Sequence, residues 1–396
     1  MTKVTHDSTQ FELSPVDEAS RAARAARRNR LRTKSLPGDS RWHNRTLVLQ
    51  TLYRQGPISR ADVARATKLT KATVSDLVSG LMVERLVRTL GTQESSGPGK
   101  PAVLIDIARQ SHAVVCLDLS DHRILRGAVF DLSGGILHSS EVPLTTERGR
   151  EATELAARLA NQLASHTTVP ILGLGVGTPG VVDDLGTVRT APNLGWKDEP
   201  LEDLLEELTG IPTVVANDAN AAALAEHSAD EASDDLMLIA IGHGLGSGII
   251  VDGQLVPGSR FAAGEIGQVM VGTDLGLDAP YSRDQVLEHW LSVPNLTAAL
   301  AAAGEQGREA VLREAGQRLG VALAPVVGAL NLTEVVIAGP EELVQGTLTD
   351  AALEIVRRRT MPDSHDTLTI RSSSQGRDLV LRGAAALVLQ DRLGVS

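Results

Sequence analysis

Residues 173–180 read Gly173-Leu174-Gly175-Val176-Gly177-Thr178-Pro179-Gly180 and close a β-rich run that starts at Ile171. So many glycines at a strand end exceed what strand packing ordinarily asks for, which predicts a ligand loop. Upstream, short β-rich runs over 112–119, 124–131 and 135–142 precede a helical pattern over 151–164. Hairpin-linked strands followed by a helix and another strand imply an α/β domain. Downstream come Asn193-Leu194-Gly195-Trp196, a strand over 213–216, and Asn217-Asp218-Ala219-Asn220 immediately ahead of an Ala-rich helix. There Asp218 is placed to take a proton from a substrate hydroxyl while Asn217 fixes its orientation; the competing reading is that both simply cap the helix. Residues 239–250 read as strand, glycine turn and strand, with Gly244, Gly246 and Gly248 at the turn. Their backbone amides either cradle an anion or make a tight buried turn.

The chain has 396 residues, 42% hydrophobic and 22% charged, so it is globular in composition and long enough for more than one folding unit. No apolar run approaches the roughly 20 residues that span a bilayer. The amino terminus, Met1-Thr2-Lys3-Val4-Thr5-His6, lacks the apolar stretch of a secretory signal, and Cys116 is the only cysteine. A cytoplasmic location is expected, and one thiolate can build neither a zinc finger nor an iron–sulfur cluster. Charge divides unevenly. Residues 1–105 hold 18 Lys and Arg against 9 Asp and Glu, while the remainder holds 20 against 40. A basic module on an acidic body points to a polyanion such as nucleic acid as partner, or else to a solvating tail.

The pattern inside the basic module decides between these. Residues 1–40 read as a flexible basic arm. From Thr46 the residues Leu47, Val48, Leu49 and Leu52 predict a helix ended by Gly56-Pro57. Ser59 and Asp62 have the spacing of a capping box that opens a second, short helix ending near Ala66. Thr70 caps a third, whose Val74, Leu77, Val78, Leu81 and Met82 share one buried face. Lys71, Thr73, Ser75, Asp76 and Ser79 then point to solvent near the helix start, where short polar side chains reach base edges. Strands over 86–90 and 102–107, joined by a polar loop with Gly97, Gly99 and Lys100, read as a β-wing whose tip approaches the minor groove. The expected DNA-binding set is Lys68, Thr70, Lys71, Thr73, Ser75, Gly97, Gly99 and Lys100.

In order and spacing, the loop from Gly177 to Gly180, Asn193 to Trp196, Asn217 to Asn220, Gly244 to Gly248 and Gly264-Glu265-Ile266-Gly267-Gln268 resemble the ROK family of repressors, open reading frames and sugar kinases, over 41–396. The resemblance implies an amino-terminal winged helix-turn-helix (41–107), as in the family's regulators. After it comes an α/β actin-like, ribonuclease H-like, two-lobed sugar-kinase-type domain (108–396) that binds an effector in its cleft and dimerises. Carried over by position, Asn217 and Asp218 match the sugar-hydroxyl binder and the catalytic base, and Glu265 and Glu288 match two further sugar carboxylates. With Gly180 and Gln268 they form the expected effector site.

Departures from the family's pattern matter as much. The zinc positions hold Gln268, Ala279, Tyr281 and Val286, so no zinc is expected. The first phosphate motif has become Asp118-Leu119-Ser120-Asp121-His122, without glycines and with an added carboxylate. One such charge at ~4 Å and an effective dielectric of ~20 disfavours a phosphate oxygen by roughly 4 kcal/mol. Gly339-Pro340 replaces a second-lobe glycine pair and loses an amide donor. ATP is therefore not expected as a cofactor, and Asp218 reads as a vestigial base. The function implied is a sugar-responsive regulator of carbohydrate metabolism, most simply a repressor, that meets a pseudo-palindromic DNA operator as a homodimer and takes a sugar or sugar phosphate as effector. A sugar kinase carrying a DNA-binding unit, and a DNA-binding regulator with no small ligand, are the alternatives.

Overall fold

The computed structural model describes residues 37–92, 102–229, 232–272 and 278–395. Helix α1 (Pro37–Gln55) starts well before the apolar run at Thr46, inside what the sequence assigns to the arm. Its first turns expose Ser40, Arg41 and His43 and half-bury Trp42, one apolar residue and too few for a periodicity, and proline is well suited to open a helix. Strand β1 (Ile58–Ser59) follows, too short to leave a pattern. The capping box then forms as expected at α2 (Arg60–Thr67): Ser59 Oγ accepts from the Asp62 amide at 3.2 Å, and the Asp62 carboxylate accepts from the Ser59 amide at 3.3 Å. Thr70 caps α3 (Lys71–Val83), which buries Val74, Leu77, Val78 and Leu81. Strands β2 (Val87–Thr92) and β3 (Val103–Ile107) complete an antiparallel sheet in the order β1-β3-β2.

Two five-stranded sheets dominate the rest. The first lobe runs β4 (Ala113–Asp118), β5 (Ile124–Asp131), β6 (Ile136–Pro143), α4 (Arg150–Ala164) and β7 (Ile171–Thr178). It continues through β8 (Val181–Val182), β9 (Val188–Ala191), β10 (Trp196–Glu199), α5 (Leu201–Thr209) and β11 (Thr213–Asn217). Its main sheet has the order β11-β7-β4-β5-β6, with a parallel half and an antiparallel meander, and β8 to β10 form a small sheet of their own. Helix α6 (Asp218–His227) leads to the second lobe, with β12 (Leu236–Ile241), β13 (Leu245–Val251), β14 (Gln254–Leu255), α7 (Leu287–Leu291) and α8 (Val293–Leu330). Then come β15 (Glu334–Ala338), α9 (Glu341–Val344), α10 (Thr347–Arg359), α11 (Pro362–His365) and β16 (Thr369–Ser372), in a sheet ordered β14-β13-β12-β15-β16. Last, α12 (Leu379–Leu393) crosses back to the first lobe.

The path of α12 explains the glycines of β7. A Cβ at Gly173 would meet Val388, one at Gly175 the Ala384 carbonyl oxygen, and one at Gly177 the Val380 side chain, all on α12. These three glycines sit on one face of the strand and let a helix press against it. This corrects the reading of the whole run as a ligand loop; past the strand end, Gly180 (φ 90°) is itself pressed against the Thr190 carbonyl. At its far end α12 reaches the amino-terminal unit: Gln50 Nε2 donates to the Gly394 carbonyl at 2.8 Å. Leu393 and Val395 share one buried apolar cluster with Val48, Leu49, Leu52, Val114 and Phe130. Among the described residues no helix is long and apolar enough to cross a membrane.

Candidate functional site

The cleft between the lobes is built around the start of α6. Asn217 is its cap, with Oδ1 accepting from the Asn220 amide at 3.0 Å. Its Nδ2 donates to the Gly180 carbonyl at 2.9 Å and to Asp218 Oδ1 at 3.1 Å. Asn217 thus caps the helix, as the competing reading had it, and also ties the Gly180 backbone to the Asp218 carboxylate. Asp218 Oδ1 also accepts from the Ala219 amide at 2.8 Å. Burial pushes the Asp218 carboxyl up to about 7, helped by the nearby charges of Asp118 and Glu265 and opposed by the Ala219 hydrogen bond. The Asn220 Oδ1 atom is buried with no partner, a free acceptor that the sequence reading did not single out.

Asp118, also missed as a site residue, lies opposite Gly177 in the pairing of β4 with β7, which carries it toward Asp218. It is buried and accepts from Ser120 through both amide and hydroxyl, at 3.0 and 2.6 Å. Burial raises its pKa against those bonds and against Arg126. The Arg126 guanidinium stands 3.5 Å from Asp118, 3.2 Å from Glu141 and 2.7 Å from Asp378, and also donates to the Arg377 carbonyl. These partners lie on separate elements, so only the sheet register could have revealed the cluster.

On the second lobe, Ser247 Oγ donates to the Gly264 carbonyl and pins the turn before Glu265. Burial and the charge of Glu288 raise the Glu265 pKa. Glu288 Oε2 accepts the Leu245 amide at 2.9 Å and Oε1 accepts Gln268 Nε2 at 3.4 Å, while Gln268 Oε1 accepts the Tyr281 hydroxyl at 3.0 Å. A hydrogen-bonded chain therefore runs Tyr281–Gln268–Glu288–Leu245. The segment is held further by Val271 amide to Gln285 carbonyl (2.8 Å), and by Arg318, which donates to the Val271 carbonyl at 3.0 Å and lies 3.4 Å from the Trp290 ring centroid. Arg318 has no motif to announce it. Gly246 and Gly248 lie on β13 and let that strand press against Ala219 of α6, whereas the turn itself, 242–244, is exposed and not buried. Among the described residues, no group of three or more His, Cys, Asp and Glu could hold a metal ion.

Where the two lobes approach, His122 of the β4–β5 loop meets His243 of the β12–β13 loop edge to face, with ring centroids 3.7 Å apart. Burial lowers the His243 pKa, as do His122 and Arg123, against the opposing charge of Asp121. In the amino-terminal unit, Lys68, Thr70, Lys71 and Ser75 are exposed, whereas Thr73 is half-buried, its Oγ1 2.9 Å from Thr70 Oγ1. Asp76 pairs with Arg41 at 3.2 Å. Gly97, Gly99 and Lys100 lie outside the described residues.

Two lobes with a β-sheet each and a carboxylate-lined cleft between them define an actin-like sugar-kinase fold. The model of the ROK family matches residues 114–391, and the chain belongs to that family. A xylose repressor of Caldicellulosiruptor bescii is 27% identical over 88% of this chain and 96% of its own length. A glucokinase of Halalkalibacterium halodurans is 29% identical over 67% of this chain and 92% of its own. The crystal structure of a ROK family transcriptional regulator, a homologue of the Escherichia coli MLC protein, shares the fold with TM-score 0.78 at 24% identity, covering 89% of this chain and 97% of that one.

Proposed function

We propose that the protein is a DNA-binding transcriptional repressor of carbohydrate metabolism whose operator affinity responds to a sugar or sugar derivative in the interlobe cleft. The observation that carries this reading is the extent of the match to the xylose repressor. At 88% of the chain it necessarily extends into the residues ahead of 114, whereas the glucokinase match needs none of them. Those residues are the capped three-helix unit with its small sheet, which we assign as a winged helix-turn-helix over 41–107, behind an arm over 1–40 and ahead of an effector-binding and dimerisation domain over 108–396. Lys68, Thr70, Lys71, Thr73 and Ser75, with Gly97, Gly99 and Lys100, are its proposed DNA contacts. Gly180, Asn217, Asp218, Glu265, Gln268 and Glu288 are its proposed effector contacts. A cytoplasmic homodimer would set two recognition helices about one helical turn, ~34 Å, apart on a pseudo-palindromic operator. A sugar that binds one lobe separation better than another shifts that spacing by linkage.

Selection of genomic fragments by the full chain, followed by footprinting, tests this. The expected result is a pseudo-palindromic site, bound less tightly at all sequences by Lys71→Ala and with altered preference by Ser75 variants. Failure to bind any duplex at low ionic strength rejects it. One feature favours a kinase instead: a carboxyl that burial pushes up to about 7 suits a general base. The lost phosphate glycines weigh against it, and an ATP-coupled assay over a sugar panel should give no turnover that Asp218→Asn abolishes.

A further inference from the structure

The interlobe cleft offers a phosphate group acceptors and almost no donors. Asp218, Glu265 and Glu288 make no ion pair among the described residues, and Arg126, which reaches Asp118, is shared with Glu141 and Asp378. The backbone amides placed to hold phosphate oxygens are already engaged by the chain's own carboxylates. Leu245 donates to Glu288 at 2.9 Å, Ser120 to Asp118 at 3.0 Å and Arg123 to Asp121 at 2.7 Å. Beside these amides the His122 and His243 rings are in contact, so a phosphoryl group between them would have to part the rings.

A sugar hydroxyl can donate to a carboxylate, whereas an ionised phosphate ester has only acceptors and brings a charge of about −1.5 to −2. Resting on the effector reading above, we propose that His122 and His243 are specificity-determining residues that restrict the effector to a free sugar and exclude its phosphate ester. A phosphoryl group on the hydroxyl facing Asp218 would have to part the two rings and add its charge to a site where Asp118 and Glu265 already oppose the ionisation of Asp218, and Glu288 that of Glu265. Arg123 beside the rings is exposed and gives little compensation in water. The regulator would then report a sugar before it is phosphorylated, and the class of reaction that ends its signal is phosphoryl transfer to that sugar.

Calorimetry and thermal shift on the full chain test this with D-xylose, D-glucose and N-acetyl-D-glucosamine against their phosphate monoesters, using Asp218→Asn to locate binding in the cleft. A free sugar should bind, with its ester at least 100-fold weaker at pH 8. The double variant His122→Gly, His243→Gly should narrow that ratio at least tenfold. The discrimination should also narrow toward pH 6, where the ester loses charge. A wild-type chain that takes an ester as tightly as its parent sugar overturns the proposal and leaves the effector reading standing. So does a double variant with undiminished discrimination. If neither sugars nor esters bind, the effector reading falls and this inference with it.

Discussion

Asp218 carries a carboxyl whose ionisation the fold opposes, through burial and through the charges of Asp118 and Glu265. Between the ordinary carboxylate range and about 7 the folded chain keeps the proton that the unfolded chain has lost. Folded molecules bind more protons there, so stability falls as pH rises through that window, by about 1.4 kcal/mol per pH unit for one group. Asp218→Asn retains an oxygen for the Ala219 amide and removes the charge. Its melting temperature should therefore exceed the wild type by a few degrees at pH 8 and converge with it near pH 4, as thermal melts across pH 4–9 will read. Parallel profiles would show that Asp218 ionises without opposition. The Asn217-Asp218 pair was legible because a strand end and a helix start are adjacent in sequence. Asp118, Asn220 Oδ1 and Arg318 were not, because what makes them matter is a neighbour brought in by sheet register or by a distant helix.

The elements divide by the same criterion. Both caps of the amino-terminal unit could be read because Ser59 with Asp62, and Thr70 with Thr73, act within one turn. The start of α1 could not, since its exposed first turns bear no apolar stripe, and β1 is defined only by Ile58 and Ser59 pairing with Ile105 and Leu104. The glycines of β7 were visible as an anomaly but were given the wrong cause, for the helix that needs them begins some 200 residues later. That crossing makes a specific demand on α12. A Cβ at Gly383 would meet the Ala221 carbonyl oxygen and two further backbone atoms of Ala221 on α6. Backbone cannot yield as a side-chain tip can, so Gly383→Ala must push α12 away from the helix that begins at Asp218. Overpacking of this kind typically costs about 1–3 kcal/mol. Urea denaturation should show a lower midpoint, and sugar binding should weaken with it. A midpoint equal to the wild type would mean that the two helices separate freely.

Over the whole molecule, α12 reaches the cleft with one end and the amino-terminal unit with the other. Its start, at Asp378, is tied to Arg126 and through it to Asp118 in the cleft; its end, at Leu393 to Val395, is buried against Val48, Leu49 and Leu52 of the amino-terminal unit. The segregation of basic and acidic residues announced two units, but not that the end of the chain would lock them together. A chain ended after Arg392 tests what this contact does. It loses the buried Leu393 and Val395 and the carbonyl that Gln50 holds, and removal of a buried leucine side chain alone costs about 2–5 kcal/mol. The loss falls on the attachment of α1 and not on the cleft at the other end of the helix. Calorimetry should then resolve a separate, lower transition for the amino-terminal unit, and hydrogen exchange should quicken at residues 48–52. Operator affinity should fall while the affinity for a free sugar changes by less than twofold. If instead one transition persists unchanged, the helix end is passive and the response to sugar must reach the DNA by the lobes alone.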